Sequence, residues 1–189
     1  MESEPAATIM LLLLVLIDVI YYGFVSALDQ LNEKEFAERA EEQGDRKSKR
    51  LYQIMNFSAI YVNTFHLMVT MVHILIGWLY MDKWVGMVEK GLVHLVTDVL
   101  HWNIALPIVS VIAVILTFAL VLYILLTFGV LLPRKLVLGK PKRWAYALVD
   151  FIYIISRILA PFTGLIYWTT KGVLTLFGLN GIKDEADVT

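Results

Sequence analysis

The chain has 189 residues, 59% of them hydrophobic and 17% charged, with a formal net charge of −1 and a mean hydropathy of +0.71. Soluble domains are roughly 45–50% apolar and about 25% charged, and a chain this short cannot hide such an excess from water, so the composition argues against a soluble globular enzyme. The near-neutral charge offers nucleic acid no attracting field, and the absence of cysteine excludes disulfides, thiolate metal sites and thiol nucleophiles.

The pattern along the chain predicts an all-α integral membrane protein. The first apolar run, residues 6–28, is long enough to cross a bilayer core, which takes about 20 helical residues. Its front, "MESEP", is acidic, unlike a signal peptide's basic lead, so the segment reads as a retained helix. The stretch "NEKEFAERAEEQGDRKSKRLYQ" reads as helix, Gly44 turn, helix, with a weak apolar stripe at Phe36, Ala37 and Ala40. A second span is expected over about 54–80. Beyond it, Trp84, Val88, Leu92, Val96 and Trp102 suggest an amphipathic interfacial helix with aromatic anchors. A third span covers about 104–132 and is expected to end at Pro133.

Residues 144–179 differ, because Asp150, Arg157, Pro161 and Lys171 interrupt the apolar run. A charge at the bilayer centre costs several kcal/mol and a proline disrupts a helix interior. The expectation is a broken juxtamembrane belt of two short helices parted near Pro161, giving three transmembrane helices in all. Lysines and arginines cluster in 29–53 (Lys34, Arg39, Arg46, Lys47, Lys49, Arg50) and after the third span (Arg134, Lys135, Lys140, Lys142, Arg143). The positive-inside rule puts both clusters in the cytoplasm, with the N-terminus outside and the C-terminus inside.

Polar groups at membrane depth are expensive and must face protein or water. Asp18, Tyr22 and Ser26 are four apart in the first helix and share a face, and Gly23 allows close backbone approach. Asn63, His66, Thr70 and His73 form a stripe at helical spacing in the second, flanked by Thr64. In "FGVLLPRK", Pro133 has no N–H to give the carbonyl one turn back, that of Gly129. A hard cation such as Mg2+ takes oxygen ligands and keeps waters, which makes Asp18, Ser26, Asn63, Thr70 and the Gly129 carbonyl candidate ligands. Gly23, Thr64, His66, His73 and Pro133 are candidates for a pathway or for alternative metal ligands, the histidines suiting transition metals. The competing reading is interhelical hydrogen bonding worth about 1 kcal/mol per bond. The chain has no HExxH, GxSxG, P-loop or GxGxxG motif, so no enzymatic activity is expected.

Three stretches, "YYGFVSALDQLNEKEFAERAEEQGDRKSKRL", "NTFHLMVT" and "FGVLLPRKLVLGKPKRWAYALV", together resemble the transmembrane domain of the CorC/HlyC (cyclin M, CNNM; hemolysin-like) family over nearly the whole chain. The first-helix signature of that family is roughly F-S-G-S-E-T-A-L-x-x-L-N. Here Gly23, Ser26, Ala27, Leu28, Leu31 and Asn32 are kept, while Tyr22, Phe24 and Val25 stand for both serines and the glutamate. The second-helix pattern S-T-x-Q-x-G-x-T is matched at Asn63, Thr64 and Thr70, with His66 and Met68 at the Gln and Gly positions. In F-G-E-x-x-P-K, Gly129 and Pro133 match and Val130 and Arg134 replace Glu and Lys.

The resemblance implies a homodimeric divalent cation (Mg2+ or Co2+) efflux domain in the plasma membrane of a bacterial cell. It implies short cytoplasmic-side helices after the first span, and cytoplasmic CBS domains following residues 1–181 through a linker that starts at 182–189. The chain is accordingly expected to be a fragment of a longer protein. The lost carboxylates imply an alternative, a non-transporting membrane anchor or regulatory scaffold with a degenerate ion site.

Overall fold

The structure is a computed structural model that describes residues 4–42, 44–56, 58–102 and 104–178. Helix α1 (Glu4–Leu28) is apolar nearly all round, the composition of a helix seated in lipid rather than at a water boundary. Two short polar helices follow, α2 (Glu33–Glu42) and α3 (Arg46–Asn56). Each is started by a side chain: Asn32 Oδ1 accepts the Lys34 N–H, and Asp45 accepts those of Lys47 and Ser48, satisfying donors that a helix start leaves open. Gly44 between them sits at φ +63°, where a side chain would be strained.

Helix α4 runs without a break over Ser58–His94 and continues as a π-helical turn over Leu95–Val99. The expected second span and outer amphipathic helix are therefore one element, and Ile54 belongs to α3. No proline interrupts 58–94, and Gly77, Gly86 and Gly91 cost a helix only about 1 kcal/mol each. Its 37 residues extend about 55 Å, well beyond the roughly 30 Å hydrocarbon core. Helix α5 (Leu106–Ile124) passes into a π-helical segment (Leu125–Leu131) and then α6 (Leu132–Val137). Pro133 thus does not end the third run. It falls in the first turn of a new α-helical stretch, where a missing N–H is best tolerated.

Helix α7 spans Pro141–Leu176 with Pro161 inside it, so the expected break is absent. Pro161 removes one main-chain bond, the one to the Arg157 carbonyl, a loss that long apolar helices tolerate, and the helix continues past it to Leu176. Four helical stretches, rather than three, are long and apolar enough to cross a membrane: Pro5–Leu28, Tyr61–Val99, Leu106–Val137 and Pro141–Leu176. No strand occurs among the described residues.

The chain divides into two compact units. The first takes Met1–Val19 and Met71–Leu132. Its core is Leu14, Val72, Ile76 and Tyr80, joined by a 2.6 Å bond from the Tyr80 hydroxyl to the Ala7 carbonyl. On α5 only Val109, Ala113 and Thr117 are buried, at four-residue spacing, so most of that helix presents apolar side chains outward, as a lipid-facing helix does.

The second unit takes Ile20–Thr70 and Pro133–Thr189. Here α2 packs on α3 and α3 on α7. The buried row of α7 is Ala145, Val149, Ile152, Ser156 and Thr163, one face at helical spacing. The Ser48 hydroxyl donates to Asp45 and lies 2.6 Å from the Tyr146 hydroxyl. Lys47 Nζ donates to the Tyr146 carbonyl at 2.8 Å, and Arg50 donates to Asp150.

Candidate functional site

In the first unit Asp18 is fully buried, at 0% exposure. It continues the inward ridge of α1 one turn beyond Leu14, which is why a carboxylate lies inside the helix packing. Its Oδ2 is 3.0 Å from His73 Nε2, the His73 side chain being partly exposed. Its Oδ1 is buried with no hydrogen-bond partner among the described residues. Gly129 closes the third side: a Cβ built there would lie 3.5 Å from both Asp18 Cβ and Asp18 Oδ2. The structure thus brings together Asp18, His73 and Gly129 from α1, α4 and the π-helical segment.

The π geometry alters the main-chain argument for Gly129. The Leu132 N–H bonds to the Thr127 carbonyl, five residues back. In that register the carbonyl facing the missing donor of Pro133 is that of Phe128, not Gly129. What Gly129 contributes is its lack of a side chain beside Asp18.

The other candidates belong to the second unit. Gly23 is buried, and a Cβ there would meet Val137 at 3.5 Å and Trp144 at 3.9 Å, so it serves close helix packing. Ser26 is half-buried. Along α4 the buried threonine is Thr64, at 0% exposure, while Asn63, His66 and Thr70 are exposed. The helical stripe is real, yet it occupies the face beside the buried one. Pro133 is fully buried. Arg134 lies over the Tyr22 ring at 5.3 Å, a cation–π contact, and Tyr22 meets Phe65 edge-on at 5.1 Å. Tyr21 and Phe24, in the stretch where the family signature is hydroxyl- and carboxylate-rich, are each only 2% exposed.

Among the described residues no group of three or more His, Asp or Glu side chains is placed to hold a metal ion together. A cation at Asp18 and His73 would complete its shell with carbonyls, hydroxyls or water, the ligand types Mg2+ favours.

The polar cluster on α3 and α7 was not anticipated. Asp150 reads in the sequence as an obstacle to a helix, but Arg50 and Lys47 pair with it, and Arg50 also covers the Tyr153 ring at 4.6 Å. The basic run "RKSKR" was the available signal. Outside the apolar helices, the Lys142 ammonium bonded to Glu35 at 2.8 Å holds that carboxyl below its ordinary value. The Ser48 hydroxyl does the same for Asp45.

Comparison with protein families matches residues 9–189 to the one described as the cyclin M transmembrane N-terminal domain. No curated protein matches the chain by sequence.

Proposed function

Because the chain belongs to the cyclin M (CNNM) transmembrane-domain family, we propose that it is the membrane domain of a divalent cation transporter, exporting Mg2+ or Co2+. The family match over 9–189 carries this reading. Asp18 supports it, as a fully buried carboxylate on a lipid-seated helix with one oxygen on His73 and the other unpartnered among the described residues. Such groups mark ion pathways because burial without a partner is costly. Asp18 is the first ligand in this proposal, with the His73 imidazole beside it and Gly129 leaving room next to its carboxylate. The role is one of transport, with no catalytic chemistry.

The proposed topology has three spans, with the N-terminus outside and α2, α3 and the C-terminus on the cytoplasmic side of the plasma membrane. The first half of α7 supports this, since it packs on the highly charged α3 and carries Asp150 paired with Arg50 and Lys47. A helix with "RKSKR" against it belongs at the membrane surface rather than across its core. The assembly proposed is a homodimer whose full-length chain carries cytoplasmic CBS domains.

The test is thermal stability of the purified protein in detergent. Mg2+ or Co2+ is expected to raise the melting temperature, and Asp18→Ala to abolish the shift. The absence of any shift with Mg2+, Co2+, Mn2+ or Zn2+ would count against an ion site at Asp18. A second reading, a non-transporting anchor or scaffold, is favoured by buried Tyr21 and Phe24 and by Val130 at the family's glutamate position. It predicts intact dimers and no cation flux in proteoliposomes.

A further inference from the structure

Asp18 and His73 differ as ligands. Asp18 is fully buried and brings one carboxylate, and no further His, Asp or Glu joins the two in a metal-holding group among the described residues. His73 brings a ring nitrogen. Of the four histidines, His66, His94 and His101 are exposed, while His73 is partly buried. Its Nε2 lies 3.0 Å from Asp18 Oδ2. Two ligands about 2.1 Å from one ion and at right angles across it stand about 3.0 Å apart. One cation can therefore bridge these two atoms with neither side chain moving far. Asp18 Oδ1 is buried with no hydrogen-bond partner among the described residues, so the second oxygen is not committed elsewhere, and Gly129 puts no side chain beside the carboxylate.

We propose, resting on the reading of Asp18 as an ion ligand, that His73 is the specificity-determining residue of that site: its Nε2 ligates the ion and favours a borderline transition cation such as Co2+ over Mg2+. Mg2+ takes oxygen ligands and is usually held by one or two carboxylates with waters. Here it finds a single carboxylate beside a nitrogen that adds little for so hard an ion. Co2+ gains a full bond from imidazole. With two side chains as ligands, water or main-chain oxygen completes the shell, and an ion held by so few protein groups is also readily released, as a transported ion must be.

Isothermal titration calorimetry of the full-length protein in detergent, purified without a polyhistidine tag, tests it by comparing the Kd for Co2+ with that for Mg2+. His73→Gln keeps a polar group beside Asp18 but removes the imidazole. It is expected to reduce the preference for Co2+ at least about tenfold, because groups that merely hydrogen-bond a metal ligand are already worth about 10–100-fold in affinity. The loss should fall on Co2+, with Mg2+ binding little changed. An unchanged ratio in His73→Gln would overturn the proposal and leave an ion site at Asp18 standing. Binding of neither ion, or binding unaffected by Asp18→Asn, would overturn the proposal together with the reading it rests on. If His73→Gln does not fold, pulsed EPR decides. In protein with the exposed His66, His94 and His101 changed to Gln, His73 is the sole imidazole. Bound Mn2+ showing a directly coordinated nitrogen supports the assignment, and Mn2+ showing proton couplings alone refutes it.

Discussion

Asp18 has one buried oxygen bonded to His73 and one with no partner among the described residues, so its stability depends on a single neighbour. Removing that neighbour strands an ionisable group in an apolar setting, which costs about 1–3 kcal/mol. His73→Ala is therefore expected to lower the melting temperature in cation-free detergent, and His73→Gln, which can still donate, to recover part of the loss. The importance of Asp18 is legible from the sequence, because a carboxylate in the middle of an apolar run is conspicuous. Its pairing is less so: His73 stands on the same periodic stripe as Asn63, His66 and Thr70, and spacing alone does not say which end of a stripe turns inward. The structure turns Thr64 and Val72 inward and leaves Asn63, His66 and Thr70 exposed. Neighbouring helices decide that, and periodicity within one helix cannot.

At the level of elements, the α2–α3 pair is held by local chemistry that can be dissected. Asp45 caps α3 and also accepts the Ser48 hydroxyl, so Asp45→Ala should cost about 1 kcal/mol, read as faster amide exchange in 46–56. The pH dependence has a definite sign. Glu35 and Asp45 both titrate below their ordinary values in the folded protein. Their contribution is thus complete above the unfolded carboxylate range, about pH 4, and is lost as pH falls through the lower folded values. Exchange in α2 and the start of α3 is expected to accelerate below pH 4, and Glu35→Gln to remove the part due to the Lys142 contact. Helix boundaries separate what local sequence fixes from what it does not. Gly44 and the two side-chain caps act within a few residues. The charge of Asp150 on α7 is matched by Arg50 and Lys47, about a hundred positions away.

For the whole molecule the proposed topology has three of the four sufficiently apolar stretches crossing the bilayer. Because the chain has no cysteine, single introduced cysteines are unique labels. With three spans, cysteines at Lys49 and Lys171 react with an impermeant maleimide from the same side of a sealed vesicle. With four, they react from opposite sides. Hydropathy fixes the helices and their approximate ends, since roughly 20 apolar residues have few alternatives. It does not separate a helix lying in the interface from one crossing it, because both are apolar on the face that meets lipid.

The π-helical stretch 125–131 has a consequence for chain length. Buried positions recur every four residues before it, at Val109, Ala113 and Thr117, and Gly129 within it is buried again. In a uniform α-helix each four-residue step overshoots a full turn by about 40°, and such a row would wind around the rod. Wider turns rotate more slowly and wind it back. The stretch therefore works as a phase correction, and the count of residues between Thr117 and Gly129, which packs on Asp18, is under constraint independently of their identity. One residue more or fewer would turn Gly129 by about 100°, swinging it away from the Asp18 side chain it now faces.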